Sequence, residues 1–167
     1  MGRAAYRVRQ FLQAATARSR PADLTLARSL LDPNLYRLFL RLPPADQAHA
    51  LRVVRRLRAR GETDPDLLAA GLLHDVGKSL LPLRLLDRVA IVLGQALLPA
   101  QVHAWSAADP GGWRRGFVVA CRHPEWGATM VADSGGSARL IRLVREHQSG
   151  SPAEPALAAL QAADGDS

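Results

Sequence analysis

Apolar residues recur along the chain at helical spacing, and Pro and Gly divide them into short segments. Within residues 1–20, Ala4, Val8, Phe11, Leu12 and Ala15 mark one face of an amphipathic helix. Asp23 and Asp32-Pro33 read as helix starts, because an Asp side chain satisfies free N–H groups and Pro suits a first turn. Their apolar faces are Leu24/Leu30/Leu31 and Leu35/Leu38/Phe39/Leu42. After Pro43-Pro44, residues 45–60 form a helix with an inward stripe of Ala50, Val53, Val54 and Leu57, ended by Gly61. Asp64-Pro65 opens the next helix, 65–76, which is apolar nearly all round and therefore central, and Gly77 stops it. Helices over 82–98, 113–121, 124–133, 137–147 and 153–163 complete the set, with a loop at Asp109-Pro110-Gly111-Gly112 and a break at Pro124. Alternating β-branched runs and hairpin turns are missing, so the pattern predicts an all-α fold.

At 167 residues the chain fits one domain, and 48% apolar residues supply a core, which excludes wholesale disorder. A lone cysteine, Cys121, excludes a disulfide framework and a cysteine zinc ribbon; it is expected to be buried, in a reducing, cytoplasmic setting. The longest uncharged run, Val89 to Ala108, is interrupted by Gln95, Pro99, Gln101 and His103, so no transmembrane span is expected. A net charge of +7 and a pI near 11.1 invite a nucleic-acid reading. The basic residues are arginines scattered over many segments, with Lys78 the single lysine, which reads instead as a generic basic surface without a specific nucleic-acid face. The first 20 residues hold five arginines and no acid; a docking helix is the simplest reading, with a transit peptide or membrane-surface helix as alternatives. The start lacks the apolar core of a signal peptide, and Tyr6 stands where N-myristoylation at Gly2 wants Ser or Thr. Residues 83–105, rich in Leu, Val and Ile, read most simply as helical core; a lid, a dimer face or a membrane-resting helix stay open.

The histidines carry the chemistry: His49, His74, His103, His123 and His147. His74-Asp75 stands in Leu72-Leu73-His74-Asp75-Val76-Gly77-Lys78, at the end of the most apolar helix. Neighbouring residues cannot share a helix face, but at a last turn both side chains can reach one cation between helices. An ionised Asp in so apolar a segment is costly unless a cation neutralises it. Imidazole with carboxylate suits iron, manganese, zinc or cobalt.

His-Asp-Val-Gly-Lys at 74–78, ending an apolar helix, resembles the signature of the HD-domain metal-dependent phosphohydrolases. The resemblance covers residues 45–164 and leaves 1–44 as an N-terminal helical extension. It implies an HD-domain helical bundle, a further His one helix upstream and an Asp near the end; His49 and Asp164 match these, with Asp166 as a fallback. His123-Pro124-Glu125-Trp126-Gly127 resembles the His-Pro-x-x-Gly segment of the subset that binds a second metal, and His147, in Arg145-Glu146-His147-Gln148, falls at the next helix end. The resemblance therefore implies a first metal held by His49, His74, Asp75 and Asp164, and a second, bridged by Asp75, held by His123 and His147. That subset includes the HD-GYP cyclic-dinucleotide phosphodiesterases and the HD hydrolases of dinucleoside polyphosphates. The chain departs from HD-GYP: Glu146-His147-Gln148 replaces the paired His-His-Glu, Ser149-Gly150-Ser151-Pro152 stands near the Gly-Tyr-Pro position, and the interval from Asp75 to His123 is long. These departures argue against a cyclic di-GMP assignment.

The implied activity is hydrolysis of a nucleotide or other small phosphate ester or anhydride by a metal-activated water, with one or two ions of Fe, Mn or Zn. Two cations about 3.5–4 Å apart acidify a shared water and neutralise phosphoryl charge. Lys78 would meet a phosphate oxygen, with Arg52 and Arg122 as further candidates. The alternatives are a non-catalytic HD-type signalling or interaction protein that binds metal or nucleotide, a helical nucleic-acid binder, and the two-iron oxygenases of the same superfamily. Each donor also has a structural reading: His49 as a core histidine, His123 as a helix-entry residue, His147 as a helix C-terminal His favoured by the macrodipole, and Asp164 as a tail acid. His103 has no partner and reads as structural.

Overall fold

The computed structural model describes residues 21–165 apart from 82, 84, 108, 151 and 153; the expected helix in 1–20 and the fallback Asp166 lie outside them. Nine α-helices are described: α1 Pro21–Leu30, α2 Pro33–Phe39, α3 Pro44–Ala59, α4 Pro65–Leu73, α5 Leu85–Leu97, α6 Pro99–Ser106, α7 Arg115–Asp133, α8 Ala138–Glu146 and α9 Pro155–Gly165. Short 3₁₀ turns lie at Val76–Leu80 and Gly112–Arg114, and no strand occurs among the described residues.

Helix ends follow local chemistry. Asp32 caps α2 by accepting from Asn34 N and Leu35 N, and Asp64 caps α4 by accepting from Asp66 N and Leu67 N. α3 and α7 both close with a glycine at positive φ, Gly61 and Gly135. At each, the following N–H reaches back to a helix carbonyl, Glu62 N to Leu57 O at 3.1 Å and Gly136 N to Val131 O at 2.9 Å. A residue with a Cβ would be strained in that left-handed turn.

α4 is the hub. It packs against α3, α8 and α9 and receives α1 and α2 at its flank. Ala50, Val53, Val54 and Leu57 of α3 are fully buried, as the stripe predicts, and Leu67 to Leu73 of α4 are buried without exception. Gly71 sets their spacing: a Cβ there would stand 3.0 Å from Val54 Cγ2 and 3.1 Å from Leu57 Cδ1. Leu31, Leu35, Leu38, Phe39 and Leu42 complete the same core.

Five expectations need correction. α4 ends at Leu73, not at residue 76, and Val76 begins a 3₁₀ turn. Gly77 is therefore not a helix stop; its role is close backbone approach to α7. Pro124 does not separate two helices, since α7 runs through it from Arg115 to Asp133. A proline inside a helix forfeits one hydrogen bond, but buried residues on both sides of it (Phe117, Val118 and Val119 before, Ala128 and Val131 after) hold the helix in place. Residues 99–106 form a helix of their own, α6. The region 83–105 is helical but is not core: Leu86 is 79% exposed and Leu97 71%. Cys121 is exposed rather than buried, because it lies on the outer face of α7.

Candidate metal centre

Five elements bring the six expected donors together. His49 lies mid-way along α3, His74 is the C-cap of α4, and Asp75 follows it into the turn. His123 lies in the middle of α7, His147 is the C-cap of α8, and Asp164 stands in the last turn of α9. Because α4 stops at Leu73, Asp75 leaves the helical path, with φ −96° and ψ 3°. This bridge conformation, common where a turn presents a functional side chain, sends the Asp75 carboxylate between two clusters.

The first cluster comprises His49, His74 and Asp164, and the second Asp75, His123 and His147. In the first, His49 Nε2 lies 2.9 Å from Asp164 Oδ1 and 3.4 Å from His74 Nε2, while His74 Nε2 is 3.6 Å from Asp164 Oδ1. In the second, His123 Nε2 lies 3.2 Å from both Asp75 Oδ1 and His147 Nε2. Asp75 joins the two, since Oδ2 faces His74 at 3.6 Å and His49 at 4.0 Å, whereas Oδ1 faces His123 and His147. One carboxylate thus presents one oxygen to each cluster.

Backbone carbonyls orient three of the rings. His74 Nδ1 lies 3.1 Å from Gly71 O, His123 Nδ1 2.9 Å from Val119 O, and His147 Nδ1 2.7 Å from Val144 O. A carbonyl can only accept, so each Nδ1–H donates to it, and in the neutral ring the Nε2 lone pair is aimed inward. His123 and His147 then point two lone pairs at each other across 3.2 Å, deep in the protein. Such an arrangement is repulsive unless a Lewis acid lies between the nitrogens, so the donor set fits a divalent metal of the imidazole-and-carboxylate class.

The electrostatics agree for Asp75, Asp164 and His147, whereas His74 moves the other way. Burial works against the Asp75 charge, but Lys78, His74 and His123 more than compensate and hold its carboxyl well below the usual carboxylate range. Asp164 is likewise lowered, its burial outweighed by the hydrogen bond from His49 and by the nearby His74. Burial, reinforced by the nearby His74, pushes His147 down to about 3 and keeps it neutral, as a ligand must be. For His74, burial is outweighed by Asp75 and Asp164, and its pKa rises.

Lys78 Nζ lies 2.6 Å from Asp75 Oδ2, on the oxygen that faces the first cluster. Arg52 stands about one turn from His49 on α3 and is partly buried. Arg122 is exposed and donates to the Ala107 carbonyl at 3.2 Å, so its guanidinium is engaged at the C-terminus of α6 and not with the donors. The side chain of His103 lies outside the described set.

Residue-type reasoning did not find the supporting contacts. A Cβ on Gly77 would overlap the His123 carbonyl oxygen and stand 2.7 Å from Gly127 N; one on Gly127 would stand 3.2 Å from Gly77 N. The turn bearing Asp75 therefore crosses α7 backbone to backbone. The glycines in Val76-Gly77-Lys78 and Trp126-Gly127-Ala128 were the available signal. Arg56, donating to Ala163 O at 3.3 Å, and Gln161, donating to Ser149 O at 2.8 Å, tie α9 to its neighbours beside Asp164.

The HD domain family model matches residues 47–166, most of the chain, and the chain belongs to the HD-domain family. The family binds divalent metals and includes many hydrolases of phosphate substrates. No curated protein and no solved structure matches the chain.

Proposed function

We propose that the chain is a metal-dependent phosphohydrolase acting on a small phosphate ester or anhydride, with a nucleotide as the substrate class. The observation that carries this reading is Asp75, a buried carboxylate with one oxygen turned to each of two His-containing clusters. His49, His74, Asp75 and Asp164 would hold one ion, and Asp75, His123 and His147 a second. Bound there, divalent cations supply a water of lowered pKa and neutralise charge on a phosphoryl group.

The residues themselves do the positioning. The carbonyls of Gly71, Val119 and Val144 orient three of the rings, so these rings need not turn during turnover. Lys78 brings a point charge to the partly open side of the site, where a phosphate oxygen can meet it; its side chain is 24% exposed. Burial around His74, Asp75, His123 and His147 keeps bulk water from the donors and strengthens each charge interaction.

The test is metal content by elemental mass spectrometry on the intact chain and on Asp75→Ala, followed by phosphate release from a nucleotide panel. About two equivalents of iron, manganese or zinc, lost in the variant together with turnover, support the proposal. About one equivalent keeps the first cluster and assigns His123 and His147 a structural role. Metal bound without turnover on any substrate favours the non-catalytic signalling reading.

A further inference from the structure

The α5–α6 hairpin carries a surface that the hydrolytic site does not use, and the following inference does not depend on that site's chemistry. Leu86, Val89, Leu93 and Leu97 recur at three- and four-residue intervals on α5, so they share one face. They are 79%, 40%, 53% and 71% exposed, and Val92 beside them is 56% exposed. The opposite face of α5 is committed to the protein: Gly94 lies against the Phe117 ring and Val102, while Asp87 and Ile91 meet Gly116 of α7. The helix is thus held by one side and offers solvent an aliphatic stripe where a surface helix is ordinarily polar.

Charge selects what covers it. The described Arg114 and Arg122 are exposed beside the hairpin, in a chain of net charge +7. Exposed Trp113 neighbours the hairpin, edge-on to Trp105 of α6, with the Arg114 guanidinium 5.3 Å from its ring centroid. A second copy would bring the same positive surface against itself, whereas anionic headgroups complement it. An aliphatic helix face accompanied by arginine and tryptophan is the composition of helices that lie in a bilayer interface. At 13 residues α5 extends only about 20 Å, less than a hydrocarbon core, and no helix among the described residues is long and apolar enough to cross a membrane. We infer that the outward face of α5 docks the protein on an anionic lipid surface, lying along it without crossing. The docked hairpin rests on the first half of α7, the helix that also carries His123.

Flotation of the full chain with vesicles of equal phosphatidylglycerol and phosphatidylcholine, beside pure phosphatidylcholine vesicles, tests this. The chain should float with the anionic vesicles, and the triple variant Leu86→Ser/Leu93→Ser/Leu97→Ser should bind them at least about tenfold more weakly. Unchanged far-UV circular dichroism and unchanged metal content in the variant separate lost docking from lost fold or a lost metal site. Binding undiminished in the variant would overturn the inference, since the arginines alone would then account for it. So would absence of vesicle binding accompanied by a dimer that the variant dissociates. A second measurement needs no variant: brominated phosphatidylglycerol should quench the tryptophan fluorescence of the unaltered chain, and absence of quenching would count against docking through this face.

Discussion

α4 and α5 are both rich in aliphatic residues, yet the protein treats them oppositely. Every residue from Leu67 to Leu73 of α4 is buried, whereas α5 leaves Leu86 and Leu97 mostly in solvent. The difference lies in neighbours: α4 is enclosed by α3, α8, α9 and the α1–α2 pair, while α5 packs chiefly on α6 and α7. Hydrophobic pattern reports which faces of a helix are apolar; topology decides how many of them find a partner. The enclosed helix delivers His74 and Asp75 to the candidate metal centre, and rigid burial suits that task. The open one leaves an aliphatic face uncovered among the described residues.

The strongest way to break this comparison is a cavity in the hub. Leu72→Ala, at a site with no exposure, should cost about 2–5 kcal/mol, because the methyl groups lose their surroundings and the cavity closes only in part. Urea unfolding followed by circular dichroism reads the loss. A cost below about 1 kcal/mol would mean that the hub repacks freely and is no more rigid than the hairpin.

Gly77→Ala attacks the same region at its exit. The added methyl meets the backbone of α7 at His123 and Gly127, which cannot swing aside as a side chain would. The expected cost is about 1–3 kcal/mol, with weakened metal retention because Asp75 is displaced with the turn. Parallel melts and metal titrations check both parts. Gly94→Ala in the hairpin meets instead the ring of Phe117 and the side chain of Val102, away from the donors, so its metal retention should stay unchanged.

Much of this was legible beforehand. Asp32 and Asp64 as caps, Gly61 as a terminator and the stripe Ala50/Val53/Val54/Leu57 follow from local chemistry, which acts over a few residues. His74-Asp75 stood out because an ionised Asp in so apolar a segment is costly, whereas His49, His123, His147 and Asp164 were singled out by the resemblance to HD proteins; the structure brings all six into two adjoining clusters. What escaped depends on contacts between distant segments. The end of α4 at Leu73 follows from the backbone crossing of Gly77 and Gly127. The continuity of α7 through Pro124 follows from burial on both sides, and the exposure of Cys121 from the side of α7 it occupies. The ring-orienting carbonyls of Gly71, Val119 and Val144 were invisible for a simpler reason, since every residue type carries a carbonyl.

The hub should also respond to pH in a way the hairpin does not. His147, held down to about 3 when folded against 6.5 when unfolded, gives stability that is full above pH 6.5. The unfolded chain takes up the proton first, so that contribution is lost as pH falls from 6.5 towards about 3. His74, with its raised pKa, acts oppositely: its contribution is present at low pH and lost as pH rises through the folded value. In metal-free protein, His147→Gln should therefore flatten the decline in stability between pH 6.5 and 3. An unchanged slope would place the acid sensitivity elsewhere.

At the start of α4, Asp64 accepts from two backbone N–H groups and pairs with Arg139 of α8. Burial opposes its charge, but that pairing prevails and lowers its pKa. Asp64→Ala should cost about 0.5–2 kcal/mol, mostly through the cap, since the ion pair is partly exposed. Thermal melts at low and high salt separate the two contributions: the cap survives salt, and the pair does not.

The smallest effect sharpens the comparison most. Leu97→Ala removes as many carbon atoms as Leu72→Ala, yet at 71% exposure it leaves no cavity behind. Its cost should stay within about 0.5 kcal/mol, and the same urea experiment measures it against the hub variant. A loss of about 2 kcal/mol or more would show that the α5 stripe is covered in solution, and repeating the measurement at several protein concentrations would then identify a second copy as the cover. With no such loss, the contrast between the two helices rests on their partners, and the stripe on α5 stays uncovered among the described residues.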